Sequence, residues 1–149
     1  MMDDYLIQKA GCENLDALTG LGILLWSEHE FEELRGDFAE IMGKSDAAFF
    51  LAFAGEQAAG FAQCQLRHDY VEGTQSSPVG YLEGIFVREE HRGKGLAGKL
   101  LAACEGWARA QGCREFASDC ELGNTGSLGF HLNMGFEEAG RIICFRKTL

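Results

Sequence analysis

The 149-residue chain reads as an α/β protein built on a mixed sheet. Three observations predict this. Apolar runs of strand length, AAFFLAFA (47–54) and VGYLEGIFV (79–87), are bounded by turn residues. Stretches with apolar residues at helical spacing lie before and after them. A basic, glycine-rich turn, EEHRGKGLAGKL (89–100), stands where the second run feeds the next helix. With one proline, Pro78, and no repeat or linker, a single domain over 1–149 is expected.

Taken in order, YLIQKA (5–10) alternates weakly and reads as a first strand. From Glu13 to Trp26 leucines and isoleucine recur at helical spacing, although Gly20 and Gly22 weaken the pattern. A second helix is expected over 30–43, with Phe31, Leu34, Phe38 and Ile41/Met42 as its stripe. The run 47–54 is a buried strand. A turn at 55–57 joins it to a long partner, AAGFAQCQLRHDYV (58–71). There alternation puts Ala58, Ala62, Cys64, Leu66, His68 and Tyr70 on one face. A loop (72–78) leads to the central strand 79–87. After the glycine turn, Leu96, Leu100, Leu101, Cys104, Trp107 and Ala108 form the stripe of an amphipathic helix that Gly112 closes. REFASDC (114–120) is a strand. GNTGSLGFHLNMG (123–135) is a helix with Asn124 or Thr125 at its cap and Gly135 at its end. FEEAGRIICFRKTL closes the chain as two strands around Gly140. The order is β-α-α-β-β-β-α-β-α-β-β.

The net charge of −10 argues against general binding to nucleic acid or an anionic membrane and suits a cationic partner; acidity that serves only solubility is the plain alternative. The acid is uneven: 27–40 carries Glu28, Glu30, Glu32, Glu33, Asp37 and Glu40 against Arg35. No apolar run approaches a membrane span, and the acidic start does not read as a secretory signal. Six cysteines without a C-x-x-C pair read as reduced thiols, mostly small buried hydrophobes, in a cytoplasmic protein. The four histidines lack metal-ligand spacing, so no metal is expected.

A strand-to-helix turn rich in glycine is a ready anion site, because first-turn N–H groups lack internal partners and the helix dipole adds positive charge. It is not a Walker loop. The Rossmann spacing is met only by Gly93, Gly95 and Gly98, and no leading strand at the chain start comes with an acid ~20 residues on. Arg92-Gly93-Lys94-Gly95-Leu96-Ala97 fits a different pattern, Gln/Arg-x-x-Gly-x-Gly/Ala. This resembles the pyrophosphate loop of the GNAT acyl-CoA N-acyltransferases. The element order and FHLNMGF (130–136) resemble that family too. LRHDYVEGTQSSPVGYLEGIFV (66–87), GCREFASD (112–119), LGNTGS (122–127), GFEEAGRIICFRK (135–147) and Trp26 with His29 resemble, within it, the aminoglycoside 6′-N-acetyltransferases.

The resemblance implies a GNAT fold with splayed central strands. It also implies acetyl transfer from acetyl-CoA to an amine by direct attack in a ternary complex, with no metal. An aliphatic amine is an ammonium at neutral pH and must lose a proton before it attacks. Glu83, one carboxylate inside an apolar strand, suits a general base; the alternative is a structural carboxylate paired with a buried arginine. Alternation puts it with Tyr81, Ile85 and Val87. Asp119 would anchor the acceptor ammonium, or it is a turn aspartate. The resemblance puts Tyr70 in the acceptor site with Trp26 and His29; a core or rim tyrosine is the other reading. The acidic residues of 27–40, with Asp69 and Glu72, would line that side, or form solvated faces.

For CoA, the resemblance points to Ile85, Phe86, Val87, Arg92, Gly93, Lys94, Gly95, Leu96 and Ala97. A strand N–H near Ile85 would meet the oxyanion, and Asn124 the pantetheine. Where many GNAT enzymes carry an acid tyrosine this chain has His131, and a late tyrosine of related enzymes is Phe145 here. His131 is therefore a candidate acid, with solvent as the alternative. A covalent relay through Cys120 lacks a paired histidine. The competing functions are a GNAT acting on another amine such as a polyamine, and a non-catalytic acyl-CoA sensor. A homodimer is expected, with RIICFRK (141–147) as an apolar edge.

Overall fold

The computed structural model describes residues 4–149. Five strands form one sheet in the order β1 (Tyr5–Lys9), β2 (Ala47–Ala54), β3 (Gln57–Arg67), β4 (Val79–Val87), β5 (Phe116–Ser118). Neighbours are antiparallel up to β4, and β5 lies parallel to it. β2 and β4 have the bounds read from their apolar runs.

Both sheet faces are covered, and for that reason β2 and β3 are apolar on both sides. On one face lie α1 (Leu15–Leu25) and α2 (Phe31–Met42). Leu18, Leu21, Leu34 and Phe38 pack there on Phe49, Leu51 and Phe61. Gly22 allows this approach: a Cβ would stand 2.8 Å from Phe38. The glycine that weakens the helical pattern is thus a contact point. On the other face lies α3 (Leu96–Ala110), whose Leu96, Leu100, Leu101 and Cys104 meet Ala48, Ala52, Ala62, Cys64 and Leu82. Gly112, at φ +92°, follows its end as expected. α4 (Thr125–Asn133) follows β5, and Asn124 caps it by accepting from the Ser127 N–H at 3.1 Å.

Three expectations need correction. β3 stops at Arg67, so His68 and Tyr70 lie outside the strand. Register shifts also break its alternation: Ala58 packs toward α1 and α2, whereas Ala62 and Cys64 pack toward α3. The two closing strands are absent: 136–149 carry no regular structure, and Ile142 (77%), Ile143 (81%) and Phe145 (90%) stand exposed. A strand needs a neighbour for its N–H and C=O groups, and this segment finds none among the described residues. Finally, only Cys64, Cys104 and Cys113 are buried; Cys12, Cys120 and Cys144 are exposed thiols.

Candidate active site

β4 carries the centre of the site, and a bulge sets it. Gln63 pairs with Gly84 and Cys64 pairs with Leu82, which leaves Glu83 opposite no residue. An extra residue in one strand re-aims the side chains around it. Leu82, Ile85 and Val87 consequently share the α3 face, and Gly84 and Phe86 turn toward α1 and α2. Glu83 therefore leaves the face of Ile85 and Val87, where simple alternation placed it. Trp26, at the end of α1, lies on Gly84 so closely that a Cβ there would come within 2.5 Å of the indole. Phe38 and Phe61 hold that indole edge-on, at ring separations of 6.2 and 5.9 Å.

Glu83 is one-fifth exposed and accepts from Arg67 Nη2 through both oxygens, at 3.1 and 3.2 Å. The same guanidinium lies 3.5 Å over the Tyr81 ring. The Tyr81 hydroxyl donates to Asp119, just past β5. Burial pushes the Glu83 carboxyl above its usual range; Arg67 pulls it down and Asp119 pushes it up. Burial, then the bond to Asp119, pushes the Tyr81 phenol far up, so it stays a donor. The arrangement is one half-buried carboxylate with raised proton affinity, a second carboxylate held by a phenol, and a cation in contact with the first carboxylate and the phenol ring.

β5 pairs with β4 only as far as Leu82 and Ser118. Beyond that point β4 stays paired with β3 on one side and has no β5 partner on the other, so a cleft opens along that edge. Arg88 donates its N–H to Ala59 of β3, so alternation turns the N–H groups of Val87 and Ile85 toward the cleft. Arg92 Nε donates to the Val87 carbonyl at 2.8 Å and lies 5.4 Å over Phe86. Gly93 and Gly95 both sit at φ +78°, with open space where a Cβ would point. Gly95 is the N-cap of α3 and no side chain caps that helix, so its first-turn N–H groups face outward for an anion. Next to this turn lies a cavity of about 180 Å³ walled by Val87, Leu96, Ala97, Phe130 and Met134.

The model of the acetyltransferase (GNAT) family matches residues 13–136. The chain belongs to this family. It is 43% identical to an aminoglycoside N(6′)-acetyltransferase type 1 of Salmonella typhimurium, over 95% of this chain and 97% of that one. It is 41% identical to the protein of the same name from Serratia marcescens, over 92% and 94%. Among solved structures it matches AAC(6′)-Iy in complex with the bisubstrate analogue CoA-S-monomethyl-acetylneamine: TM-score 0.94, 41% identity, 98% of this chain and 99% of that one. It also matches the 6′-N-acetyltransferase AAC(6′)-Ih of Acinetobacter baumannii, with TM-score 0.92 and 35% identity over 98% and 99%.

For a GNAT chain, the donor set fits CoA: uncapped N–H groups and backbone in a glycine conformation for the pyrophosphate, and an apolar cavity beside them for the pantetheine. The acceptor side is less concentrated than the sequence suggested. His29 pairs with Glu33 at 3.2 Å and Glu28 at 3.6 Å. Tyr70 is 77% exposed, its hydroxyl 3.5 Å from Glu72, and does not join the core. His131 is half-buried and fixed at both nitrogens. Nδ1 lies 2.7 Å from the Ser127 carbonyl and Nε2 lies 2.8 Å from the Ser118 hydroxyl. A carbonyl only accepts, so Nδ1 carries the hydrogen, and in the neutral ring Nε2 receives from Ser118. Sequence reasoning missed Arg67, Tyr81 and Ser118 as site residues. All three lie inside quoted motifs, but only the fold shows what they touch.

Proposed function

We propose that this enzyme, as one domain over 1–149, transfers the acetyl group of acetyl-CoA to the 6′-amine of aminoglycoside antibiotics in a ternary complex and so confers resistance. The observation that carries the reading is the pair of carboxylates at Glu83 and Asp119 beside the open edge of β4. Relatives at 41–43% identity that carry this activity in their names support it.

Asp119, with Trp26, His29 and Tyr70 on the rim, binds and orients the ammonium. Glu83 takes its proton. The freed amine then attacks the thioester carbonyl, and the oxyanion meets the N–H near Ile85, a preorganised donor worth roughly 3–4 kcal/mol. The C–S bond breaks, the nitrogen gives its second proton to water, and the thiolate gains one. Water supplies that proton, or the imidazolium form of His131 does, its Nε2–H then donating to Ser118 and the Ser118 hydroxyl to the thiolate. Phe86, Val87, Arg92 and the Gly93–Ala97 turn with Lys94 hold CoA, and Asn124 borders the pantetheine. CoA is anionic and meets the basic turn; the acceptor is cationic and meets the acidic remainder. The acidity also speaks against nucleic acid and membrane as partners, and the free thiols suit a cytoplasmic enzyme. The exposed Ile142, Ile143 and Phe145 support a homodimer in which 141–147 pairs with a second copy.

The test is thiol release from acetyl-CoA with tobramycin, kanamycin, spermidine and lysine as separate acceptors. Turnover only with aminoglycosides bearing a free 6′-amine is expected. Turnover only with spermidine or lysine replaces the acceptor class. CoA binding without any turnover points to an acceptor outside this set or to the sensor reading.

A further inference from the structure

The geometry points to Arg67 as a positioning residue of the acceptor site: it holds Glu83 and, through Tyr81, Asp119 in one arrangement, and it cancels one of their two negative charges so that the pair accepts a single ammonium. The inference rests on the acetyltransferase reading above and deepens it.

Arg67 is the last residue of β3, in register with Val79 of β4. Its guanidinium makes three contacts at once. One nitrogen meets both Glu83 oxygens, the plane covers the Tyr81 ring at 3.5 Å, and the far end of that ring carries Asp119. A planar, delocalised cation does this, and a lysine ammonium does not. The groups that face Glu83 are Arg67 from β3, Tyr81 from β4 and Asp119 from behind β5. α1 adds the uncharged Trp26 at the adjoining Gly84. Glu83 and Asp119 ionised, with Arg67, leave one net negative charge. An arriving ammonium neutralises the cluster.

The contact also sets when Glu83 is a base. Burial raises its carboxyl and Arg67 opposes the rise. Without Arg67 the carboxyl holds its proton to higher pH, where it no longer accepts one from the substrate.

The test is Arg67→Gln and Arg67→Lys in the full-length enzyme, with two readouts. Carbon-13 NMR follows the Glu83 carboxyl in the free protein, and kcat/KM for tobramycin is measured from pH 5 to 9. With R67Q, the Glu83 titration and the acid limb of kcat/KM are expected to move together to higher pH, with turnover retained above the new limb. R67K, which keeps the charge without the planar guanidinium over Tyr81, is expected to move both less. An unmoved Glu83 titration overturns the inference. So does a moved titration with an unmoved acid limb, or a loss of activity equal at every pH. CoA affinity and the circular dichroism spectrum report whether each variant is folded. Failure of the wild type to use any aminoglycoside would sink the function reading instead, and the NMR arm would still decide the Arg67–Glu83 coupling.

Discussion

At the residue scale, the backbone prepares the side chains for chemistry. Glu83 has no partner across β3, so its carboxylate leaves the α3 core that its neighbours build. Its role is checked by Glu83→Gln, which keeps the shape and the hydrogen-bonding reach but cannot take a proton. Loss of one general base typically costs ~10²–10⁴-fold in turnover. The expected result is a fall of that order in kcat with CoA affinity unchanged; unchanged kcat removes the role. Gly84 is the second case. A methyl group there would meet the Trp26 ring at 2.5 Å. Gly84→Ala is expected to destabilise by about 1–3 kcal/mol, as overpacking does, and to raise KM for the acceptor more than KM for acetyl-CoA. Equal effects on both would show that Trp26 serves the core alone. Neither residue's setting was legible in sequence. EGIF announces a carboxylate and a glycine in an apolar strand, but not the bulge, which depends on how β3 registers against β4.

At the element scale, the strand-to-helix corner was the most legible part of the chain. A turn with Gly93 and Gly95 between a strand and an amphipathic helix needs only local rules: left-handed backbone without a Cβ penalty, and unpaired N–H groups at a helix start. Gly95→Ala puts a Cβ at φ +78°. The expected loss is about 1–2 kcal/mol, or a melting temperature lower by several degrees in a chain of this size. A larger proportional rise in KM for acetyl-CoA than for the aminoglycoside should accompany it, measured by steady-state kinetics with each substrate varied. The ends of β3 and α4 were less legible. Tyr70 follows the rhythm of β3 in sequence, yet β3 ends at Arg67 and the tyrosine turns to Glu72. The sequence offers His131 as a candidate acid, and the fold ties it to the Ser127 carbonyl and the Ser118 hydroxyl. A side chain's partners come from elements distant in sequence, and periodicity carries no information about them.

At the scale of the whole molecule, the open question in the chain is its end. Residues 137–149 are exposed throughout, although RIICF has the composition of a strand. β5 is three residues long and pairs with β4 only, so its outer edge is open to another strand. Pairing between copies would satisfy both. Light scattering after size exclusion should give twice the chain mass for the intact protein and the monomer mass for a chain ended after Glu137. A monomeric intact protein would discard the dimer. The fold class, strands β2 and β4, the stripe of α3 and the glycine turn before it were determined by the sequence alone, because each follows from side-chain periodicity and glycine conformations within a few residues. The tertiary structure alone decided which groups share the site. Arg67, Tyr81, Glu83 and Asp119 meet because a bulge, a strand end and a parallel pairing bring three strands' side chains to one place, and strand register is a property of the folded sheet.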